Sequence, residues 1–492
     1  MYEQELTVDG FIHGEKIKAE TYETRENPAH PKQTAGFSPV NTEEDAVRAI
    51  DAADDTFLDW TNRPVDDRIE RMRKAIQKIK DATPAIKELL SREHGKPLYD
   101  AEGEIGVSLA WMEFACDNVE EVLKSEVNED ENGRTIIARD GIGVVSAISP
   151  WNYPLSLSTI KIAPALLAGN TMVLKPSPYA PLAVTKVTEM IAEEMPDGVL
   201  NLVHGDADVG KELTSNPKVA KIAFTGGTET AKHIMKAAAD TIKNLTLELG
   251  GNDAAVVLSD FDVNDEQAMR RMVISNFLTA GQICMIAKRI YVDRSIYDQF
   301  VEKYKEAADQ WIRVGDPFNE NVTIGPINNK QQVDHVQKLV DQAADKGAKV
   351  IKLGTILDED VFEEGYFMQP TMVLGVDHED PIVEKEQFGP TVPILPFDGD
   401  EQGIELANNS IYGLTSSVWG EEEHAVKVAR RIQAGTTMIN TAAVQGLDVR
   451  YPFGGVKQSG IGREYGEEGL LAYTDTHVIN IPNNKDLPYI PE

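Results

Sequence analysis

One cysteine stands where a thiol could act as a nucleophile. Cys284 lies in the segment FLTAGQICMIAKR, at the end of an apolar helical pattern that Gly281 interrupts. A thiol attacks carbonyl groups when helix dipoles or hydrogen bonds favour its thiolate and when a substrate can reach it. A lone cysteine is more often a small buried hydrophobic residue, and Cys116, in the helical run WMEFACDN, keeps that simpler interpretation.

Two further residues could assist such a nucleophile. Glu248, in LTLELGGND, ends a predicted strand just before a glycine pair, where a carboxylate held against apolar residues is a candidate general base with a raised pKa. Asn152 lies between two prolines in ISPWNYPL, so its amide could donate a hydrogen bond to an oxyanion. A simpler interpretation stays open for each residue: an exposed loop carboxylate for Glu248 and a turn residue for Asn152.

Three segments have features of a nucleotide site. Lys175 ends the strand-like run TMVLK, where an ammonium could contact a ribose or a phosphate. The segment FTGGTETAK predicts a strand, a turn at Gly226 and Gly227, and a helix whose N-terminus could hold a phosphate. In KEQFGP, Glu386 and Phe388 place a carboxylate beside an aromatic ring. Each signal is weak alone, because FTGGT is not the G-x-G-x-x-G pattern and lysine is common at strand ends.

Most of these residues follow short apolar runs, and those runs predict the elements that must position them. From about residue 142 to 259, the runs GVVSAIS, TMVLK, VLNLVHG, KIAFTG, TLELG and AAVVLS alternate with helical patterns. The alternation predicts βαβ units, a largely parallel sheet and a ligand site beyond the carboxyl ends of the strands. A second α/β region extends to about Gly455, with helices predicted at 266–279 and 295–311 and strands at TMVLGV, TVPILPF and SSVWG.

The flanking segments carry weaker patterns. The stretch up to Pro39 is predicted to be irregular, and Thr42 with Asp45 predicts a capping box before the first helix. Further helices are predicted at 68–80 and between 84 and 122. The runs RTIIAR and IGVVSAI around Asp140-Gly141 predict a hairpin. The final run THVINI predicts a terminal strand with little core of its own, and we expect its partner on another subunit.

Composition narrows the functional classes. At about 100–200 residues per domain, 492 residues predict two large domains. No apolar run reaches the roughly 18 residues of a membrane span, and the start lacks a secretory signal, so a cytoplasmic location is expected. The net charge of −33 would repel nucleic acid and anionic membranes. The two cysteines and nine histidines show no ligand spacing, so no metal site is expected.

The order of the motifs is more specific than any one of them. PWNYP, LKPS, FTGGT, LELGG, GQxC, ExFGP and PFGG follow one another as in the aldehyde dehydrogenase superfamily, which the chain resembles from ENPAH to FGGVKQSGIGRE. The resemblance implies an aldehyde-dehydrogenase-like α/β fold in a homodimer or homotetramer. Its parts would be a Rossmann-type dinucleotide-binding domain (1–122 and 142–255), an α/β catalytic domain (256–455), and a small β oligomerisation arm and tail (123–141 and 456–492).

The resemblance also implies residue roles. Cys284 would attack the aldehyde, Asn152 and the nucleophile's backbone N–H would hold the oxyanion, and Glu248 would activate water to hydrolyse the thioester. NAD, with NADP as an alternative, would accept the hydride. The expected cofactor contacts are Ile148, Ser149, Trp151, Lys175, Ser177, Pro178, Gly205, Phe224, Gly226, Gly227, Gly250, Gln332, Glu386 and Phe388. The expected lining of the aldehyde tunnel is Tyr153, Leu157, Ile283, Met285 and Phe453.

Two departures from the family pattern bear on the cofactor. NAD-preferring relatives often have glutamate three residues after the lysine of KP, and this chain has Pro178 there. No carboxylate in this loop repels a 2′-phosphate and no arginine grips one, so we expect weak discrimination between NAD and NADP. The turn also reads FTGGTETA where many relatives have FTGST and a later glycine. Gly227 and Ala231 replace those residues, which could reshape the pyrophosphate contact.

Two other functions are compatible with such a sequence. A CoA-acylating semialdehyde dehydrogenase of the same fold can lack the glutamate of ELGG, so the presence of Glu248 favours hydrolysis. A non-catalytic, crystallin-like protein would have no need of Cys284, Glu248 and Asn152 together. The apolar and aromatic residues expected in the tunnel indicate a hydrophobic aldehyde, aromatic or of medium chain length.

Overall fold

Two large sheets carry the core, and most of their strands are those that the sequence predicts. The fold is known from a computed structural model that describes residues 5–483. The first sheet has eight strands, in the order Gly460–Ile461, Asn244–Glu248, Val219–Thr225, Val144–Ile148, Thr171–Lys175, Leu200–Leu202, Gly10–Ile12 and Glu15–Ile17. Its five central strands are parallel, which confirms the predicted βαβ organisation.

The second sheet has seven strands. Their order is Lys349–Lys352, Thr371–Leu374, Thr391–Phe397, Ala287–Asp293, Asp253–Val257, Thr415–Trp419 and Thr436–Ile439. All neighbours are parallel except the first pair. The strand Asp253–Val257 crosses the expected domain limit at residue 255 and belongs to the second sheet. The strand Gly460–Ile461 falls in the segment expected to form the arm and tail, but it belongs to the first sheet.

Helices cover the two sheets and bury apolar residues against them. The helices before residue 250 are Glu43–Thr61, Val65–His94, Leu98–Leu123, Pro154–Leu167, Leu182–Ala192, Ala207–Ser215 and Thr228–Ala239. Those after it are Glu266–Phe277, Tyr297–Trp311, Lys330–Asp345, Glu359–Glu364, Pro381–Glu384, Gly399–Asn408, Glu422–Ala429 and Gly466–Leu471, with 3₁₀ turns at Leu278–Gly281, Ala443–Gly446 and Lys457–Ser459. The predicted capping box of Thr42 and Asp45 is confirmed. The second helix runs through Pro84 instead of ending before it.

The predicted hairpin at Asp140-Gly141 is wrong. The turn consists of Glu131 and Asn132, between the antiparallel strands Glu126–Asp130 and Gly133–Gly141, and the Asp130 carboxylate accepts the N–H groups of Asn132 at 2.8 Å and of Gly133 at 3.2 Å. The chain leaves this small sheet after Gly141, and the next strand, Val144–Ile148, belongs to the eight-stranded sheet.

The terminal strand also differs from expectation. Thr474–Pro482 pairs antiparallel with Gly133–Gly141 along its whole length, so its partner lies in its own chain. The pairing satisfies the backbone groups of one edge of this strand. The Pro- and Asn-rich tail beyond residue 483 lies outside the described residues.

The opening stretch is not irregular. It contains the strands Leu6–Thr7, Tyr22–Asn27 and His30–Pro39, which form a three-stranded sheet, besides the two strands that extend the eight-stranded sheet. Pro28 and Ala29 make the turn between Tyr22–Asn27 and His30–Pro39, where the Asn27 side chain accepts the N–H of Ala29 at 3.0 Å. A further small pair joins Arg313–Val314 to Thr355–Ile356. Within residues 5–483, no helix has the length and apolar character to cross a membrane.

Candidate active site

The carboxyl ends of the parallel strands bring the sequence motifs together. Register pairs Lys175 with Ile148, Ile148 with Phe224, and Thr225 with Glu248 on successive neighbouring strands. Because parallel strands end at the same edge of a sheet, motifs far apart in sequence form one row. The backbone N–H of Gly226 donates to the Glu248 carbonyl at 3.0 Å and closes the turn above that row.

Cys284 follows a sharply bent loop. The helix Glu266–Phe277 ends there, and Thr279, Ala280 and Gly281 all have positive φ angles, of 53°, 53° and 75°. A Cβ on Gly281 would lie 2.2 Å from the Gly389 carbonyl oxygen, so only glycine permits this approach of the GQxC and ExFGP motifs. Burial raises the pKa of the Cys284 thiol to about 12, whereas the charge of Lys288 lowers it.

Asn152 is buried beside the nucleophile loop. Its Nδ2 donates to the Gln282 carbonyl at 2.9 Å, which leaves the second N–H of the amide for another acceptor. The backbone carbonyl of Asn152 accepts a hydrogen bond of 3.1 Å from Lys96, which forms a buried ion pair with Glu104. Glu104 in turn accepts the backbone N–H of Leu155 at 2.7 Å. The side-chain amide of Asn152 is therefore held by Gln282, and its backbone is held by the Lys96–Glu104 pair.

Glu248 is almost fully buried at the end of its strand. Its Oε1 has no hydrogen-bond partner within the described chain, and burial together with the neighbouring Glu464 charge holds its pKa well above the ordinary value. Lys161 opposes this shift. The Lys161 ammonium donates to Glu464 and to the Thr225 hydroxyl, each at 2.7 Å. Glu248 thus stays protonated to a higher pH than an exposed carboxyl group, and its charged form is placed to act as a general base.

Two cavities meet at these residues. A cavity of about 430 Å³ opens on the outer side, and a smaller one of about 60 Å³ lies on the inner side. Cys284, Asn152 and Thr225 line both cavities, and Glu248 lines only the inner one. A reacting group at Cys284 can therefore be approached from two sides.

The outer cavity gathers half of the residues expected to bind the cofactor. Those that line it are Trp151, Gly226, Gly227, Gly250, Gln332, Glu386 and Phe388. The ring centroids of Trp151 and Phe388 lie 5.4 Å apart, edge to face. The remaining expected contacts do not line this cavity; they are Ile148, Ser149, Lys175, Ser177, Pro178, Gly205 and Phe224.

These remaining residues lie along the same edge of the sheet or beneath it. Ile148 and Lys175 end neighbouring strands, and the N–H of Ser149 donates to the Lys175 carbonyl at 3.1 Å. Ser177 and Pro178 form the turn after Lys175, and Gly205 follows the next strand. Burial lowers the pKa of Lys175 to about 8, against the opposing charges of Asp206 and Glu23. Two carboxylates outside the KPSP loop therefore act on this lysine.

The donor groups of this edge fit a dinucleotide. The 12-residue helix Thr228–Ala239 begins directly after Gly226 and Gly227, and N–H groups at such a helix start bind phosphate. No atom lies within 4 Å of the position that a Gly227 Cβ would occupy, so the turn leaves open space. Lys175 ends a strand at this edge, and Glu386 lines the outer cavity. Residues 5–483 contain no cluster of three or more His, Cys, Asp or Glu that could hold a metal ion.

The inner cavity contains all five residues expected to contact the aldehyde. Tyr153, Leu157, Ile283, Met285 and Phe453 line it together with other, mostly apolar groups. The Tyr153 hydroxyl is already engaged, since it lies 3.0 Å from Asp100 Oδ1 and 2.9 Å from the Thr279 hydroxyl. The Lys96 ammonium lies 3.8 Å from the centroid of the same ring. Tyr153 therefore presents ring surface to the inner cavity.

Several buried charged residues of the site were not predicted from the sequence. Among them are Lys96, Glu104, Lys161, Lys288 and Glu464. Lys161 occurs within the apolar helix Pro154–Leu167, and a lysine in such a setting is a signal of a buried pair. The local sequence around the other four does not reveal that a charge is buried.

Comparison with known proteins agrees with this arrangement. The family model of the aldehyde dehydrogenase family matches residues 15–479. A betaine aldehyde dehydrogenase of Vibrio vulnificus is 35% identical over 485 residues, which cover 97% of this chain and 99% of that protein. The chain belongs to the aldehyde dehydrogenase family and is an oxidoreductase.

Solved structures share the whole fold. A betaine aldehyde dehydrogenase of Staphylococcus aureus, crystallised with NAD⁺, superposes with a TM-score of 0.91 at 32% identity, covering 97% of this chain and 95% of that one. An NADP-dependent enzyme of E. coli gives a TM-score of 0.91 at 32% identity, with 96% and 98% covered. The aldehyde-dehydrogenase-like fold predicted from the sequence is confirmed.

Proposed function

We propose that the protein oxidises an aldehyde to a carboxylic acid through a thioester on Cys284, with NAD as hydride acceptor and NADP as an alternative. The observation that carries the proposal is the position of Cys284 on the wall shared by two cavities. The outer cavity contains groups suited to a dinucleotide, and the inner one is apolar and holds a buried carboxylate. Oxidation requires such a meeting of acceptor and substrate at the nucleophile.

The first step is addition of the Cys284 sulfur to the carbonyl carbon. The new C–S bond displaces the carbonyl π electrons onto oxygen, and the thiol proton is released to water. The unused N–H of Asn152 and the backbone N–H of Cys284 stabilise this oxyanion. The hydrogen bond from Asn152 to Gln282 keeps the amide next to the nucleophile loop throughout.

Lys175, Gln332, Glu386 and the turn at Gly226 and Gly227 would hold the dinucleotide. Its nicotinamide, when bound, supplies the acceptor for the hydride that leaves the tetrahedral adduct. Asn152 and the loop residues keep that adduct oriented toward the outer cavity. Loss of the hydride converts the adduct into a thioester on Cys284.

Glu248 is the general base for hydrolysis of the thioester. In its charged form the carboxylate removes a proton from water, which then attacks the thioester carbon and releases Cys284. Because the pKa of Glu248 is raised, this step accelerates as pH rises through that pKa. Glu464 and Lys161 set the electrostatic environment of the step. The presence of Glu248 at this position supports hydrolysis over transfer to CoA.

We propose a hydrophobic aldehyde as the substrate. Leu157, Ile283 and Met285 line the inner cavity with apolar surface, and Tyr153 and Phe453 add ring surface. Several relatives are named betaine aldehyde dehydrogenases, whose cationic substrate would favour aromatic faces. The Lys96 ammonium already occupies one face of the Tyr153 ring, so that face is not open to a second cation.

A panel of aldehydes with NAD, NADP and added CoA tests this proposal. We expect NADH formation with aromatic or medium-chain aldehydes, weaker rates with betaine aldehyde, and no dependence on CoA. Absence of aldehyde-dependent NADH or NADPH formation with every member of the panel would contradict the enzymatic proposal. Strict dependence on CoA would indicate the acylating alternative.

We also propose a homodimer or homotetramer. The small sheet of Glu126–Asp130, Gly133–Gly141 and Thr474–Pro482 exposes Val478, at 56%, and Ile479, at 41%. Exposed apolar side chains on a strand that forms one edge of a sheet favour association with another chain. As part of this proposal we divide the chain into a dinucleotide-binding domain (1–122 and 142–255), a catalytic domain (256–455) and an arm and tail (123–141 and 456–492), although the strands Asp253–Val257 and Gly460–Ile461 belong to the sheets of the catalytic and the dinucleotide-binding domain respectively.

A further inference from the structure

A buried lysine behind the nucleophile has no role in the chemistry described so far. Lys288 lies on the strand Ala287–Asp293, and its side chain is 1% exposed. Its ammonium donates to the Ile283 carbonyl at 2.9 Å and to the Cys284 carbonyl at 2.8 Å. It also lies 3.6 Å from Glu386 Oε1. One ammonium thus joins the nucleophile loop to a carboxylate of the outer cavity.

The surroundings of Lys288 hold these partners in place. The N–H of Gly251 donates to Glu386 Oε1 at 3.1 Å. A Cβ on Gly251 would lie 2.6 Å from the Cys284 carbonyl oxygen, so the second glycine of ELGG permits the close packing of this cluster. The side chain of Gln387, next to Glu386, donates to the Lys288 carbonyl at 3.2 Å. The three segments meet around one positive charge.

The charge has two electrostatic consequences. A cation close to a thiol favours the thiolate, and Lys288 lowers the pKa of Cys284 against burial and against the carboxylates of Glu386, Glu248 and Asp253. Lys288 also favours the charged form of Glu386, whose pKa burial raises. A charged carboxylate accepts hydrogen bonds from ribose hydroxyls, and a protonated one accepts fewer.

We propose that Lys288 is a positioning residue that serves the nucleophile and the cofactor site at once, by holding the Cys284 carbonyl and keeping Glu386 charged. This proposal rests on the proposed function for the role of Glu386 toward a dinucleotide. Its effect on the thiol does not depend on that function, because the thiol can be examined without aldehyde or cofactor.

The test measures the rate of alkylation of Cys284 by iodoacetamide as a function of pH from 6 to 11, which we call the alkylation curve. The background is Cys116→Ala, so that Cys284 is the only thiol that can react. In Lys288→Met we expect the alkylation curve to move to higher pH and the rate at pH 8 to fall about tenfold to thirtyfold, since one pKa unit changes the thiolate fraction tenfold. Affinity for NAD, measured by titration calorimetry, should fall in the same variant. Lys288→Arg, which keeps the positive charge, should retain part of the native alkylation rate and part of the native affinity for NAD.

Two other variants separate this role from simple destabilisation. Lys221→Met removes a fully buried amino group that bonds Asn244 and Thr246, away from Cys284, and should move neither the alkylation curve nor the NAD affinity. Glu386→Gln should weaken NAD binding but move the alkylation curve to lower pH, because it removes a negative charge beside the thiol. This variant also tests the thiol effect if Lys288→Met does not fold.

The proposal is overturned if Lys288→Met moves the alkylation curve no further than Lys221→Met does, or if Glu386→Gln moves it upward. If no form of the protein binds NAD but the two opposite shifts occur, the dinucleotide function fails and the role of Lys288 toward the thiol stands.

Discussion

The pH dependence of thioester hydrolysis should respond in opposite directions to two neighbouring substitutions. Glu464 raises the pKa of Glu248, and Lys161 lowers it. Lys161→Met should therefore move the pH at which hydrolysis accelerates upward, and Glu464→Gln should move it downward. The sign follows from the general-base role, because only the charged form of Glu248 activates water.

The size of the shift follows from the geometry. The Lys161 ammonium is 2.7 Å from the hydroxyl of Thr225, and Thr225 is the register partner of Glu248 on the neighbouring strand. With a strand spacing of about 4.8 Å, the ammonium lies roughly 7 Å from the Glu248 carboxyl. Two unit charges at that distance interact by about 2 kcal/mol at an effective dielectric constant of about 20. The expected shift is therefore between about one and two pKa units.

The assay is rapid-quench measurement of acyl-enzyme hydrolysis from pH 5 to 10 in the native protein and both variants. Lys96→Met is the matched control, since it breaks another buried lysine–glutamate pair without acting on Glu248. That variant should slow the acylation step and leave the pH profile of hydrolysis in place. Shifts of the same sign in Lys161→Met and Glu464→Gln would refute the electrostatic reasoning.

Three further predictions concern the reaction and the assembly. Asn152→Ala should slow acylation by about 10²–10³, whereas Glu248→Gln should retain a stopped-flow burst of NADH. If Glu248→Gln loses the burst and Asn152→Ala keeps it, the two roles are reversed. NAD should be used, and kcat/KM for NADP should lie within about two orders of magnitude of the value for NAD, or roughly 2.7 kcal/mol. A preference for NAD beyond a thousandfold would assign the discrimination to Asp206 and Glu23, outside the KPSP loop. Analytical ultracentrifugation should give a dimer or tetramer, and a species of 54.2 kDa at micromolar concentration would exclude both.

The sequence predicts the parallel strands well because strong apolar runs end in glycine-rich motifs. The row from Lys175 to Glu248 follows directly, since parallel strands align their carboxyl ends. The predicted hairpin at Asp140-Gly141 is wrong because local preference marks Asp-Gly as a turn, whereas pairing with Thr474–Pro482 keeps both residues in a strand. The chain turns at Glu131-Asn132 instead.

The charged support of the site could not be predicted in the same way. The burial of Lys288 and of Glu464 depends on contacts with residues far away in sequence, those of Lys288 with Glu386 and of Glu464 with Lys161. The strand that pairs with the terminal strand could not be predicted either, because the two strands are far apart in sequence. An edge strand indicates that a partner is needed, but not which one.

The central claim is the covalent thioester on Cys284, and the most direct test is to trap it. Glu248→Gln mixed with NAD and a reactive aldehyde, quenched in acid and digested, should show one acyl mass added to the peptide that contains Cys284. The same treatment of Cys284→Ala should add no mass, and Cys116, buried at 3% exposure, should stay unmodified in both. NADH formation without any adduct on Cys284, or an adduct on Cys116, would contradict the account.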